Sequence, residues 1–177
     1  MNVQANIGFK YKEHLGLMQL SELLPAVGEL IPYEYAAIRK PEYDRLIANI
    51  LSSATPQRTP RFVQIGGIPG AGKTTFCKNA RWDEQLFISF DKIMEALPGY
   101  QVDIYRLGTV EAFNRWEMPA RIIGYEVLRR AVEKKANIYL EHSGVNMPHT
   151  ILMQNLKKKG YATEMYFILC NLDIACH

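Results

Sequence analysis

Cysteine is scarce: Cys77, Cys170 and Cys176 are the whole complement of 177 residues. An odd count with no C-x-x-C pair excludes a disulfide framework as the source of stability. Cys77 reads as a small buried residue rather than a nucleophile. Cys176 stands beside His177, but no further ligands are apparent for a zinc site there. Long apolar runs are missing as well, so no membrane-spanning helix is expected. The first twenty residues carry Lys10, Lys12, Glu13 and His14 and lack the apolar core of a secretory signal. These absences together point to a reducing, cytoplasmic setting. Charge of one sign is lacking too, with 21 basic residues against 18 acidic and a net charge of +3. Such a balance suits anionic small molecules and does not favour nucleic acid as a partner.

What is present is concentrated at one place. Gly67-Ile68-Pro69-Gly70-Ala71-Gly72-Lys73-Thr74, followed by Thr75, is a complete G-x-x-x-x-G-K-[ST] phosphate-binding loop. Glycines 67, 70 and 72 can adopt backbone angles that a Cβ would forbid. Their exposed N–H groups can then converge on anionic oxygens. Lys73 is expected at the β- and γ-phosphates, and the Thr74 hydroxyl is placed to ligate Mg²⁺. Arg61–Ile65 before the loop reads as a buried strand, and Thr74 to about Arg81 as the helix that follows. No Asn-Lys-x-Asp guanine reader is visible, so ATP is the expected nucleotide.

The length favours a single folded unit with a sizeable core. Residues 1–60 lack strand-like runs and read as a helical prefix packed on the core, with amphipathic pieces at His14–Leu24 and Pro41–Leu51. A polar, proline-bearing connector spans 52–60. Residues 61–177 alternate between strand and helix. Strands are expected at Phe62–Ile65, Leu86–Phe90, Asn137–Leu140 and Met165–Cys170. Helices are expected at about Pro119–Lys135 and from Pro148 to Gly160, the second ending in a solvated Lys157-Lys158-Lys159. The fold class is therefore α/β, a mostly parallel sheet flanked by helices in the P-loop NTPase-type three-layer sandwich.

Ligands of such sheets bind beyond the carboxyl ends of the strands, which turns the strand list into a site list. Asp91 follows the second strand, where a carboxylate can orient an acceptor hydroxyl and take its proton. It could also cap a helix beginning at Lys92, and the two roles are not exclusive. Glu141 ends the third strand and could hold Mg²⁺ through water, bind an acceptor hydroxyl, or serve a structural partner. His142 reads as a ligand, a base or a structural histidine. Ser143 and Asn146 could bind substrate or cap the next helix. Asn171 and Asp173 follow the fourth strand.

Taken in order, these elements resemble the zeta-toxin-like P-loop kinases over roughly residues 41–177. The resemblance is carried by PEYDRLI, GIPGAGKTT, ISFDKIMEALPGY, WEMPA, NIYLEHSG and KKKGYATEMYFILC. It implies an ATP- and Mg²⁺-dependent kinase acting on a small-molecule hydroxyl, with a UDP-activated amino sugar as the best-known substrate and an antitoxin protein as partner. Asp91 matches the family's general base. Glu141 and Ser143 match the glutamate and hydroxyl of a substrate-contacting Glu-Gly-Thr element. Met94 stands where the family has an arginine, Leu97 precedes Pro98 where it has a histidine, and an arginine expected near Val145 is missing. Family members also continue with an arginine-bearing lid helix and another strand, so the domain is expected to be incomplete at its C-terminus. Arg115, Arg121, Arg129 and Arg130 are the cations available earlier, the last two expected on a solvated face.

Overall fold

The structure, a computed structural model, describes residues 41–82, 85–142 and 147–170. The expected helix at 14–24 and residues Ser143, Asn146, Asn171, Asp173, Cys176 and His177 lie outside them.

Among the described residues four parallel strands form the sheet: β1 (Arg61–Gly66), β2 (Phe87–Ser89), β3 (Ile138–Glu141) and β4 (Ala162–Phe167), in the order β2-β3-β1-β4. The central strands β1 and β3 are apolar and covered on both faces, as parallel strands require. Phe62, Ile138, Leu140 and Ile88 face the larger core, while Val63, Ile65 and Tyr139 face the smaller one. The smaller layer is closed by α2 (Lys73–Asn79) through Cys77, with Phe76 and Trp82 meeting edge to face beside Tyr166.

The larger layer contains α1 (Pro41–Ile50), α3 (Phe90–Glu95), α4 (Pro98–Leu107), α5 (Thr109–Glu133) and α6 (Met147–Lys158). Tyr43, Ile47 and Leu51 pack into it from α1 and the 3₁₀ turn behind it. Glycine at 124 lets α5 approach α3 closely, since a Cβ there would lie 2.4 Å from a Phe90 ring carbon. The α4–α5 corner is tied by Asp103, which accepts from the Trp116 indole (2.8 Å) and from Arg115 (3.1 Å). Those two donors hold the Asp103 carboxyl below the usual carboxylate range.

Several element boundaries differ from expectation. The second strand stops at Ser89, and Phe90 already starts α3. The helix expected from Pro119 begins at Thr109, with Pro119 buried inside it. The proline loses one helical hydrogen bond and crowds the carbonyl one turn earlier, and packing of the flanking turns holds the helix across that defect. The preceding α4 was not anticipated; Pro98 sits at its first position, where a missing N–H costs nothing. The fourth strand runs Ala162–Phe167, three residues earlier than expected, because its polar first half pairs with Arg61–Gln64. Arg129 and Arg130 are not on a solvated face. Both pair with buried Glu126, at 2.8 and 2.7 Å, and this removes an otherwise uncompensated charge from the core. Lys157, Lys158 and Lys159 are exposed at the end of α6, as expected.

Candidate active site

Strand register assembles the site. Ile65, Glu141 and Ser89 occupy one row across β1, β3 and β2 at the carboxyl edge of the sheet. Two residues beyond Ile65 the phosphate loop begins, and two beyond Ser89 stands Asp91. Three separate sequence motifs thereby line one cleft of about 240 Å³, whose walls include Gly67, Pro69, Lys73, Asp91, Glu141 and His142. From α5, Phe113, Glu117 and Arg121 complete it.

The loop has the geometry its composition suggested. Gly67, Gly70 and Gly72 all have positive φ, at 141°, 78° and 87°. Gly67 is also pressed against the residue that follows β4, where a Cβ would lie 2.6 Å from the Ile168 carbonyl oxygen. Lys73 Nζ donates to the carbonyls of Gly67 (3.0 Å) and Ile68 (2.9 Å), which folds the ammonium back across the loop. Gly72 caps α2 in the left-handed conformation, so Thr74 and Thr75 fall in its first turn.

Thr74 Oγ1 donates to Glu141 Oε1 at 3.3 Å. Sending the proton that way leaves the hydroxyl lone pairs available to a hard cation, so the residues present fit Mg²⁺ at Thr74. Glu141 is buried. Asp91 is exposed to the cleft and lies inside the first turn of α3. The expected capping role for it is therefore corrected: Ser89 occupies the N-cap position, because the strand ends one residue sooner.

His142 is buried beside Glu141 and stacks on His149 from the first turn of α6, ring centroids 3.9 Å apart. Burial, then His149, Arg121 and Lys73, push its pKa down to about 3. Burial and Arg121 push His149 down to about 4. A value as low as about 3 makes the His142 imidazole a weak proton acceptor beside the Asp91 carboxylate. Met94 and Leu97 are buried in the larger core and present nothing to the cleft. Arg121, left unplaced by sequence reasoning, reaches the cleft wall and pairs with Glu117 at 2.6 Å. Its signal was the i,i+4 spacing to Glu117, hidden by reading Pro119 as a helix start. Arg115 goes instead to Asp103.

A family model described as zeta toxin matches residues 46–177. Among solved structures, the chain is similar to one from the characterization of the PezAT chromosomal toxin–antitoxin system of the human pathogen Streptococcus pneumoniae. The two share 21% identity with a TM-score of 0.61, over 76% of this chain and 57% of that one. That likeness shows a common fold, and this chain spans little more than half of that neighbour's length. No curated protein matches the chain.

Proposed function

The chain belongs to the zeta toxin family, and on that premise we propose that it is a kinase moving the γ-phosphoryl group of ATP to a hydroxyl of a small molecule. The observation that carries this is the convergence of Lys73, Asp91 and Glu141 on one cleft from three different strand ends.

Asp91 accepts the proton of the attacking hydroxyl. The acceptor oxygen then bonds to the γ-phosphorus as the bond to the β–γ bridging oxygen breaks, releasing ADP. Lys73, freed from the Gly67 and Ile68 carbonyls, balances charge on the phosphate oxygens. Thr74 would hold Mg²⁺, which when bound neutralises developing phosphate charge. Glu141 fixes the Thr74 hydroxyl and offers its other oxygen to the acceptor, with Ser143 following it in the chain. Arg121 supplies a cation on the wall where Met94 cannot. The acceptor class favoured by the resemblance is a UDP-activated amino sugar, and the working compartment is the cytoplasm. Among the described residues no helix is long and apolar enough to cross a membrane. An antitoxin protein is the proposed partner, in keeping with the toxin–antitoxin system of the structural neighbour.

The test is transfer from labelled ATP·Mg²⁺ to UDP-amino sugars, a metabolite extract and 5′-hydroxyl oligonucleotides. Lys73→Ala is expected to abolish tight ATP binding and all product. Asp91→Asn should retain ATP affinity while transfer falls by about 10²–10⁴-fold. Loss of ATP binding in Asp91→Asn would make that carboxylate structural. ATP binding with no product from any acceptor would instead favour a nucleotide-binding interaction module, and labelled oligonucleotide a nucleic-acid kinase.

A further inference from the structure

Helix α5 lends one stripe to the cleft. Phe113, Glu117 and Arg121 stand four residues apart along it, and all three line the cavity. Arg121 donates through Nε (3.1 Å) and Nη2 (2.6 Å), and both bonds go to a single oxygen, Glu117 Oε1. The pair is therefore not the two-oxygen fork that fixes an arginine on a carboxylate most firmly. Nη1 takes no part in it.

The other arginines of this helix are held differently. Arg129 and Arg130 pair with Glu126, and Arg115 with Asp103. Glu126 and Asp103 are buried, so removing either arginine strands a carboxylate in the interior. Glu117 is instead 32% exposed and borders the cleft itself, and Arg121 is 24% exposed. An i,i+4 pair in that setting contributes little to stability, and Glu117 can turn to water when its partner leaves. The charge balance of the cleft favours such a departure. Its lining has two cations, Lys73 and Arg121, against three carboxylates, Asp91, Glu117 and Glu141. A triphosphate entering that cleft competes with Glu117 for the guanidinium and offers it more charge.

We propose that Arg121 is a catalytic residue that changes partners: Glu117 holds it until ATP arrives, and the γ-phosphoryl oxygens then take it over. This inference rests on the kinase reading above and goes beyond a fixed positive charge on the wall, because Glu117 becomes the positioning residue that stores the cation. As the acceptor oxygen bonds to the γ-phosphorus and ADP leaves, charge is spread over three equatorial oxygens. Lys73 meets it as a point charge, whereas the planar guanidinium can bond two oxygens at once. Arg121 forms and breaks no covalent bond. Its role is to hold the phosphoryl group beside Asp91 and to stabilise the charge that develops there.

The test pairs calorimetric binding of ATP·Mg²⁺ and ADP·Mg²⁺ with steady-state transfer to whichever acceptor yields product for the unaltered protein. Arg121→Ala is expected to weaken ATP binding by about tenfold and to leave ADP binding within about twofold, since only ATP carries the γ-phosphoryl group. Its kcat should fall by about 10²–10³-fold with acceptor KM little changed. Arg121→Lys, which keeps the charge and loses the fork, should recover part of the kcat. Glu117→Gln removes the competing charge and should tighten ATP binding by about threefold or more with ADP binding unchanged, a gain that a purely structural helix pair does not produce. If Arg121→Ala does not fold, Arg121→Gln carries the same expectations. Equal losses of ATP and ADP affinity in the arginine variants, or an unchanged kcat, overturn the proposal and leave the kinase reading standing. Weaker or unaltered ATP binding in Glu117→Gln overturns the exchange of partners. No product from the unaltered protein with any acceptor removes the kinase reading, and this inference falls with it.

Discussion

Individual side chains in this cleft are governed by what they are denied. His142 and His149 are denied water, Arg121 disfavours the charged form of both, and Lys73 that of His142. Both folded pKa values, about 3 and about 4, lie below the ordinary 6.5. The unfolded chain therefore takes up protons first as pH falls. Stability from this source is full above 6.5 and declines as pH drops toward the folded values. Well below 6.5 the slope approaches about 1.4 kcal/mol per pH unit for each histidine. Urea unfolding at pH 7.5, 6 and 5 should show this loss, and the double change His142→Asn with His149→Phe should flatten it. A midpoint that does not move over that range would mean the imidazoles are hydrated. Glu126 shows a different solution to burial, since its carboxylate oxygens accept hydrogen bonds from Arg129 and Arg130.

Elements meet where small residues allow it. Gly124 is the contact point of α5 with α3, and Phe90 fills the space a Cβ would take. The Phe90 ring cannot swing away freely, because Tyr125 and His142 hold it on two sides. Gly124→Ala should therefore destabilise the protein by about 1–2 kcal/mol, overpacking outweighing the better helix propensity of alanine. Displacing Phe90 should also disturb Asp91 beside it in the chain, so transfer should slow along with a lower Tm. A raised Tm with unchanged kinetics would show that α5 simply slides. The same helix illustrates what local sequence hides. Pro119 reads as a start signal, yet 25 residues form one helix through it, because both flanking halves bury apolar faces against α3 and α4.

At the scale of the whole molecule, the cleft sits at one edge of the sheet, and ligand binding should couple to global stability. ATP·Mg²⁺ at about a hundredfold excess over Kd should add about 2.7 kcal/mol, which raises Tm by roughly 5–10 °C for a chain of this size. Lys73→Ala should lose that shift while keeping its own ligand-free Tm, as differential scanning fluorimetry would read directly. A shift retained in Lys73→Ala would place the nucleotide elsewhere. Among the described residues β4 forms one edge of the sheet, and Met165, Tyr166 and Phe167 stay partly exposed along it.

The phosphate loop was determined by sequence alone, because its chemistry is made by contiguous backbone and needs only glycine at positive φ, a lysine and a hydroxyl in fixed order. The parallel α/β class was equally legible, since alternation of apolar strands with helices leaves few other topologies. Asp91 and Glu141 could be nominated from the strand-end rule, but only register placed them together with Thr74. The tertiary structure alone decided that Arg121 enters the cleft, that Asp91 is not a cap, that Arg129 and Arg130 turn inward, and that two histidines stack. Each of those outcomes depends on contacts between residues distant in the chain, or on the burial of a neighbour, and such energies leave no local pattern to read.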